Sequence, residues 1–237
     1  MAEFIFMLTR NDKTIAEARE VFAQIADLPL RFVGFKDIGL PVDELKALAS
    51  DIRSNGQEVM LEVVSETEAE ELNSLRSAIR IGVDYVLGGT HAAEATEILA
   101  ETGIRYMPFP GRVVGHPSVL CGPPEAIVES AEHLAEIEGV DGLDLLAYRF
   151  SGDVEALIEA VVQAVGIPVI AAGSIASEER IRTVAQLGVW GFTVGSAVFD
   201  NAFKSGAPNV RGQVRAILAA AETAPGGSGS CIPRWAT

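Results

Sequence analysis

Positive charge is scarce in this chain. Its 18 lysines and arginines face 33 aspartates and glutamates, which gives a formal net charge of −15 at pH 7. A nucleic-acid backbone and an anionic membrane surface both require a basic face, so we expect neither as a partner. A small anionic metabolite stays compatible with this composition, because a local site can be positive on an acidic protein.

Cysteines and long hydrophobic runs are also scarce. Neither Cys121 nor Cys231 has the spacing of a zinc site or a disulfide framework, which predicts no metal and favours a reduced, cytoplasmic compartment. No apolar run reaches the ~18 residues that a membrane span needs. The opening MAEFIFMLTRND has a short apolar run and an early acid, which is not typical of a signal peptide.

Short apolar, β-branched or aromatic runs recur along the chain, and each is followed by a helical pattern. Near-continuous apolar strands of this kind predict a parallel sheet covered by helices. The eight runs are EFIFMLT (3–9), RFVGFK (31–36), EVMLEVV (58–64), VDYVLGG (83–89), IRYMPF (104–109), VDGLDLLAY (140–148), IPVIAAG (167–173) and WGFTVG (190–195).

Eight strand–helix units in ~250 residues predict an α/β protein with a single-domain (β/α)₈ TIM barrel over residues 1–223. An open doubly wound sheet is the structural alternative. It normally carries fewer units, and no glycine-rich dinucleotide turn follows the first run. The glycine- and serine-rich residues 224–237 are predicted to form a flexible tail.

The last two strand runs both end in a Gly-Ser pair, Gly173-Ser174 and Gly195-Ser196. Phosphate sites of such barrels are often built after the last two strands, where glycine lets the backbone approach an anion. The residues SAVFDNAF (196–203) predict a short extra helix that would add N–H donors. The structural alternative is that the glycines only make tight turns.

The pattern PVIAAGSI followed by LGVWGFTVGSAVF resembles the phosphate-binding half of the ribulose-phosphate-binding barrel superfamily. This group includes histidine- and tryptophan-pathway barrels, pentose-phosphate epimerases and N-acetylmannosamine-6-phosphate epimerases. The resemblance covers about residues 165–200. It implies that the glycines and serines of the two pairs bind phosphate, and it leaves a homo-oligomer open.

The chain departs from particular members of that group. Pentose-phosphate epimerases use paired histidines and aspartates around a metal, and no such pair is present. Histidine-pathway isomerases use an aspartate at the end of the first strand, where Thr9 or Asn11 is nearest here. Aminosugar epimerases pair a lysine with a glutamate, as Lys36 and Glu62 could.

Lys36 and Glu62 are the first candidates for catalysis. Lys36 is one of four lysines and lies in the apolar strand context RFVGFK. It could act as a base, as a Schiff-base amine or as a charge that polarises a carbonyl; an ion pair with Asp37 or Glu62 is the structural alternative. Glu62, flanked by apolar residues, is the candidate general base. Its alternative is a core carboxylate satisfied by Lys36 or Arg10.

His91 follows a Gly-Gly-Thr turn after the fourth strand, where it could shuttle protons or simply begin a helix. Arg10 and Arg149 lie at strand ends and could bind a carboxylate or phosphate, or form salt bridges at the rim. His116 lies in the long fifth loop, which could be a lid over the substrate or plain exposed loop.

Three aspartates receive no catalytic role: Asp12, Asp37 and Asp153 are interpreted as loop or capping residues.

Together, the candidate residues and the Gly-Ser pairs predict an enzyme that acts on a small phosphorylated sugar or sugar-like carbonyl compound. Proton transfer next to the carbonyl would give isomerisation or epimerisation, with no cofactor.

Three alternatives stay open at this point. A carbon–carbon lyase would use Lys36 as a Schiff-base amine. A flavin protein would hold the phosphate of FMN in the same turns, although such enzymes are usually longer. A non-catalytic barrel would sense a phosphorylated metabolite.

Overall fold

Twelve strands occur in the part of the chain that the computed structural model describes, residues 1–224. Eight of them are parallel and form one sheet: β1 (Glu3–Met7), β4 (Phe32–Lys36), β5 (Glu58–Val63), β6 (Tyr85–Gly88), β7 (Arg105–Met107), β10 (Leu143–Leu145), β11 (Val169–Ala171) and β12 (Gly191–Val194). The other four form two hairpins: β2 (Thr9–Arg10) with β3 (Lys13–Thr14), and β8 (Arg112–Val114) with β9 (Val119–Cys121).

The parallel sheet closes on itself. Its strand order is β10-β11-β12-β1-β4-β5-β6-β7, and a parallel bridge between Tyr106 and Val140 joins the two ends. The N–H of Asp141 also donates to the carbonyl of Tyr106 at 2.8 Å. All eight predicted strand runs therefore form barrel strands, and the predicted (β/α)₈ fold is confirmed.

Helices cover the outside of the barrel. They are α1 (Ala18–Ala23), α2 (Val42–Ser54), α3 (Glu68–Ile81), α4 (Ala92–Leu99), α5 (Pro124–Ala135), α6 (Val154–Ala164), α7 (Glu178–Gln186), α8 (Ser196–Phe199) and α9 (Val210–Thr223). The short α8 is the extra helix predicted after the last strand. Asp153 caps α6 by accepting the N–H of Ala156, which confirms the capping role predicted for it.

The barrel interior is filled by apolar side chains at its lower and middle levels. Because side chains alternate along a strand, every second residue faces inward. The inward cluster comprises Ile5, Met7, Phe32, Met60, Tyr85, Leu87, Met107 and Ile170. This cluster fills the interior, and the cavity that holds Lys36 and Glu62 lies at the carboxyl ends of the strands.

Two connections carry hairpins instead of plain loops. The chain forms β2 and β3 directly after β1, with Asn11 and Asp12 at positive φ in the turn between them. The long fifth loop forms β8 and β9, with a cis peptide bond between His116 and Pro117. Both hairpins stand at the carboxyl ends of the barrel strands and shape the mouth.

The end of the described chain is Ala224, which is buried after α9. The tail predicted over residues 224–237 lies outside the described residues from 225 onward, as does Cys231. Within residues 1–224, no helix combines the length and apolar character needed to cross a membrane.

Candidate active site

A cavity of about 260 Å³ opens where the barrel strands end. It is lined from both sides of the barrel, with charged side chains at one end and glycine turns at the other. The lining includes Asp12, Lys36, Glu62, Arg149, Gly173, Ser174, Gly195 and Ser196. The catalytic candidates Lys36 and Glu62 therefore share one cavity with the predicted phosphate turns.

Lys36 lies between two carboxylates. Its Nζ donates to Oδ1 of Asp12 at 2.7 Å and to Oε1 of Glu62 at 3.0 Å. Lys36 and Glu62 are direct neighbours in the register of β4 and β5, so both side chains point into the barrel. All three residues are buried. The ion pair that was the alternative to a functional role is thus present, and it lines the cavity.

The charge state of Lys36 follows from these contacts. Burial alone would lower its pKa, but the charges of Glu62 and Asp12 outweigh burial and raise the pKa above its ordinary value of 10.5. At neutral pH the side chain is therefore an ammonium ion. Such a group stabilises negative charge and does not act as a nucleophilic amine.

Asp12 connects three segments of the mouth. Its Oδ1 also accepts from Arg149 at 2.9 Å, and its Oδ2 accepts the N–H of Ser118 at 3.2 Å. Burial opposes ionisation, but Lys36 and Arg149 outweigh it and lower the pKa of Asp12 below its ordinary value of 3.8. Sequence reasoning treated Asp12 as a loop residue. The available signal was an acid close behind the first strand, at the end of the barrel where polar residues converge.

Asp144 is a second acid that sequence reasoning missed. It alternates with Leu143 and Leu145 on β10, so its side chain faces the barrel interior, where it is fully buried. Neither carboxyl oxygen has a hydrogen-bond partner among the described residues. Burial, reinforced by the charge of Glu62, raises the pKa of Asp144 well above its ordinary value. The signal was the same apolar flanking that singled out Glu62.

The two glycine turns approach the cavity closely. Gly173 has φ +104°, and a Cβ there would lie 2.9 Å from Cγ of Arg149. A Cβ at Gly195 would collide with Oγ1 of Thr9. Ser196 then begins α8, so its N–H has no partner within that helix. Side chains are thus excluded where the backbone meets the cavity.

Three predicted residues lie away from the cavity lining. His91 is one-third exposed, and its Nδ1 lies 2.8 Å from Oε2 of Glu71. Arg10 binds Asp200 at 2.8 Å on the exposed rim. His116 stands in the turn of the β8–β9 hairpin, with Nδ1 3.6 Å from Oδ2 of Asp12. Arg149, in contrast, lines the cavity.

Asp37, the remaining aspartate, accepts hydrogen bonds from the hydroxyls of Ser65 at 3.0 Å and Ser74 at 2.7 Å. It does not pair with Lys36, as expected for adjacent strand residues. Across residues 1–224, no group of three histidine, cysteine, aspartate or glutamate side chains has a metal-holding arrangement.

No protein-family model matches the chain. A curated protein of Archaeoglobus fulgidus, 1-(5-phosphoribosyl)-5-((5-phosphoribosylamino)methylideneamino)imidazole-4-carboxamide isomerase, is 30% identical over 173 residues. That alignment covers 64% of this chain and 70% of the relative. The protein of the same name from Haloquadratum walsbyi is 31% identical over 150 residues, which cover 55% of this chain and only 58% of that relative.

Solved structures with the same fold are more distant in sequence. A structure described as native KDPGal has a TM-score of 0.65 and 15% identity, covering 93% of this chain and 95% of its own. The N-acetylmannosamine-6-phosphate 2-epimerase of Clostridium perfringens has a TM-score of 0.61 and 13% identity, covering 82% and 86%. At these identities the likeness shows a shared TIM-barrel fold.

Replacing Lys36 by methionine tests the charged cluster. We expect Lys36→Met to lower the free energy of unfolding at pH 7 by about 3–5 kcal/mol, because two buried carboxylates lose their cation. The measurement is urea-induced unfolding at pH 7 and pH 3, with Lys46→Met on the exposed side of α2 as the matched control. The control should change stability by less than about 0.5 kcal/mol.

The pH dependence of this difference has a defined sign. The lowered pKa of Asp12 contributes stability that is present above its unfolded value of 3.8 and is lost as the pH falls through the folded value. The raised pKa of Lys36 contributes stability that is fully present below its ordinary 10.5, so it does not change between pH 7 and pH 3. The difference in unfolding free energy between wild type and Lys36→Met should therefore narrow at pH 3, and a difference that widens there would contradict the ion-pair cluster.

Proposed function

The chain belongs to the family of these phosphoribosyl-imidazolecarboxamide isomerases, and from this premise we propose that it isomerises or epimerises a small phosphorylated sugar or sugar-like carbonyl compound. The reaction would be proton transfer at the carbon next to the carbonyl. One observation carries the proposal: the ammonium–carboxylate cluster and the two Gly-Ser turns face the same cavity. A substrate with a phosphate at one end and a carbonyl at the other would fit this arrangement.

The phosphate would lie between the turns after β11 and β12. Gly173 and Gly195 line the cavity there, and the first N–H groups of α8 have no partner within the helix. Ser174 and Ser196 add hydroxyls at the same place. Arg149 would contribute the positive charge that a dianion requires on an acidic protein.

Glu62 is the better placed of the two carboxylates to act as the base. Both oxygens of Asp12 are occupied, by Lys36 and Arg149 on one side and by Ser118 on the other. Glu62 accepts one hydrogen bond, from Lys36 to Oε1, and Oε2 has no partner within the described residues. That oxygen would take the proton from the substrate carbon.

Lys36 would stabilise the enolate that forms when the proton leaves. An ammonium ion fixed before the reaction interacts more strongly with the developing oxyanion than with the neutral carbonyl. Asp12 would hold the ammonium in position and keep it charged. Asp12 reaches the cavity from the turn of the β2–β3 hairpin. The aspartate that histidine-pathway isomerases use is expected at the end of the first strand instead.

The lyase alternative requires a different state of Lys36. A Schiff base forms only from a neutral amine, and two carboxylates within hydrogen-bond distance keep this side chain protonated. His91 has no place in the proposed proton transfer, because its ring is bound to Glu71 outside the cavity lining.

Substitution of Glu62 tests the proton-transfer step. A thermal-shift screen of phosphorylated aldoses and ketoses first identifies the compound that stabilises the protein most. In deuterium oxide, the wild type should exchange the proton next to the carbonyl of that compound, as followed by NMR. Glu62→Gln should slow the exchange by about 10²–10⁴-fold, because the base is lost. Lys36 keeps its ion pair with Asp12 in this variant, so the cluster retains one of its carboxylates.

Glu44→Gln on exposed α2 is the control for a charge-removing change and should exchange at the wild-type rate. Exchange by Glu62→Gln at the wild-type rate would show that another group is the base. Borohydride reduction with the same compound should leave the mass of the protein unchanged, and a trapped adduct on Lys36 would support the lyase instead.

Substitution of Ser196 tests the phosphate turns. Inorganic phosphate at one hundred times its dissociation constant should raise the melting temperature of the wild type by roughly 5–10 °C. Ser196→Glu should abolish this shift, because a carboxylate would take the place of the anion. Ser50→Glu, on the exposed side of α2, should keep the full shift. An undiminished shift in Ser196→Glu would place the phosphate elsewhere.

A further inference from the structure

The backbone N–H groups in the turn after β6 bind a carboxylate of the protein itself, that of Glu71. Glu71 on α3 is only 1% exposed, and its carboxylate accepts the N–H of Thr90 at 2.9 Å and the N–H of His91 at 3.0 Å. The ring of His91 adds a third contact, 2.8 Å from Oε2. These donors belong to the end of a barrel strand and the start of the helix α4 that follows it.

Like the turns after β11 and β12, this turn has glycine where the barrel strand ends, and it shares a positive φ with Gly173. Gly88 and Gly89 have φ values of +76° and +78°, and a Cβ at Gly89 would lie 2.5 Å from Oε1 of Glu71. The carboxylate thus lies directly against bare backbone, as a phosphate would. The difference is that Gly173 and Gly195 line the cavity that holds Lys36, whereas the N–H groups that follow Gly89 are occupied by Glu71.

The surroundings of the filled turn are acidic. A second cavity of about 250 Å³ lies between this turn and the β8–β9 hairpin, and its lining includes Ser65, Glu66, Thr90 and Ser118. No lysine or arginine is among the residues that line it. Serine and threonine hydroxyls can bind sugar hydroxyls, but Glu66 and the buried Glu71 would repel a second phosphate.

We propose that the substrate carries a single phosphate, bound after β11 and β12, and that its other end is uncharged and hydroxylated. Glu71 is the residue that excludes a second phosphate, because it occupies the donors that would bind one. The inference rests on the proposed function and narrows its substrate class. It sets this chain apart from the Archaeoglobus fulgidus relative, whose name specifies two phosphoribosyl groups.

A matched pair of ligands tests the inference in the full chain. Ribulose 5-phosphate and ribulose 1,5-bisphosphate differ only by the second phosphate, and calorimetric titration gives the dissociation constant of each. The wild type should bind the bisphosphate at least about tenfold more weakly than the monophosphate. Equal or tighter binding of the bisphosphate would overturn the inference.

Glu71→Ala tests the assigned residue. It removes the carboxylate and frees the N–H groups of Thr90 and His91, so the affinity for the bisphosphate should rise about tenfold while that for the monophosphate stays unchanged. Glu68→Ala, in the exposed first turn of the same helix, should change neither affinity. An unchanged ratio of the two affinities in a folded Glu71→Ala would overturn the role of Glu71. If that variant does not fold, by circular dichroism, the wild-type comparison decides the inference alone.

The outcomes also separate this inference from the proposed function. If the wild type binds neither ligand nor inorganic phosphate, the phosphate turns are not a site, and both proposals fail. If it binds the monophosphate and binds the bisphosphate more tightly, the proposed function stands and only the single-phosphate specificity fails.

Discussion

The structure of the barrel mouth depends on a buried ammonium ion that must be neutralised. Lys36 reaches the interior from β4, and its charge could not stay there without Asp12 and Glu62. Asp12 in turn binds Arg149 and the backbone of Ser118, so one carboxylate connects the first hairpin with the β8–β9 hairpin and the segment after β10. The carboxylate that neutralises Lys36 therefore also holds the walls of the cavity together.

Apolar side chains that stabilise the barrel and polar side chains that line the cavity lie at different levels along the barrel axis. Below the cluster, aromatic side chains such as Phe32 and Tyr85 pack edge to face at 5.7 Å and close the interior. Above it, the strands end in glycines, hydroxyls and charges. One turn is filled by Glu71, and the proposed phosphate turns line the cavity. Asp144 is buried on β10, and burial raises its pKa well above the ordinary value.

Local patterns in the sequence were sufficient for the strands, the extra helix and the two Gly-Ser turns, because each depends on residues close together in the chain. Pairing of Lys36 with Glu62 could be anticipated, since they follow one another on neighbouring strands. Asp12 could not be found in this way, because it lies in the turn of the β2–β3 hairpin, which no local pattern predicts. Its partner Arg149 is 137 positions away in the chain. Glu71 resembles the other acids of an acidic helix in sequence, so its contact with His91 at the start of α4 could not be predicted.

A crystal structure of the protein with inorganic phosphate tests the proposed site most directly. We expect the phosphate between the turns at Gly173 and Gly195, in the same cavity as Lys36, whose Nζ stays within hydrogen-bond distance of both Asp12 and Glu62. Phosphate bound at another place, or a Lys36 side chain released from its two carboxylates, would contradict the proposed site.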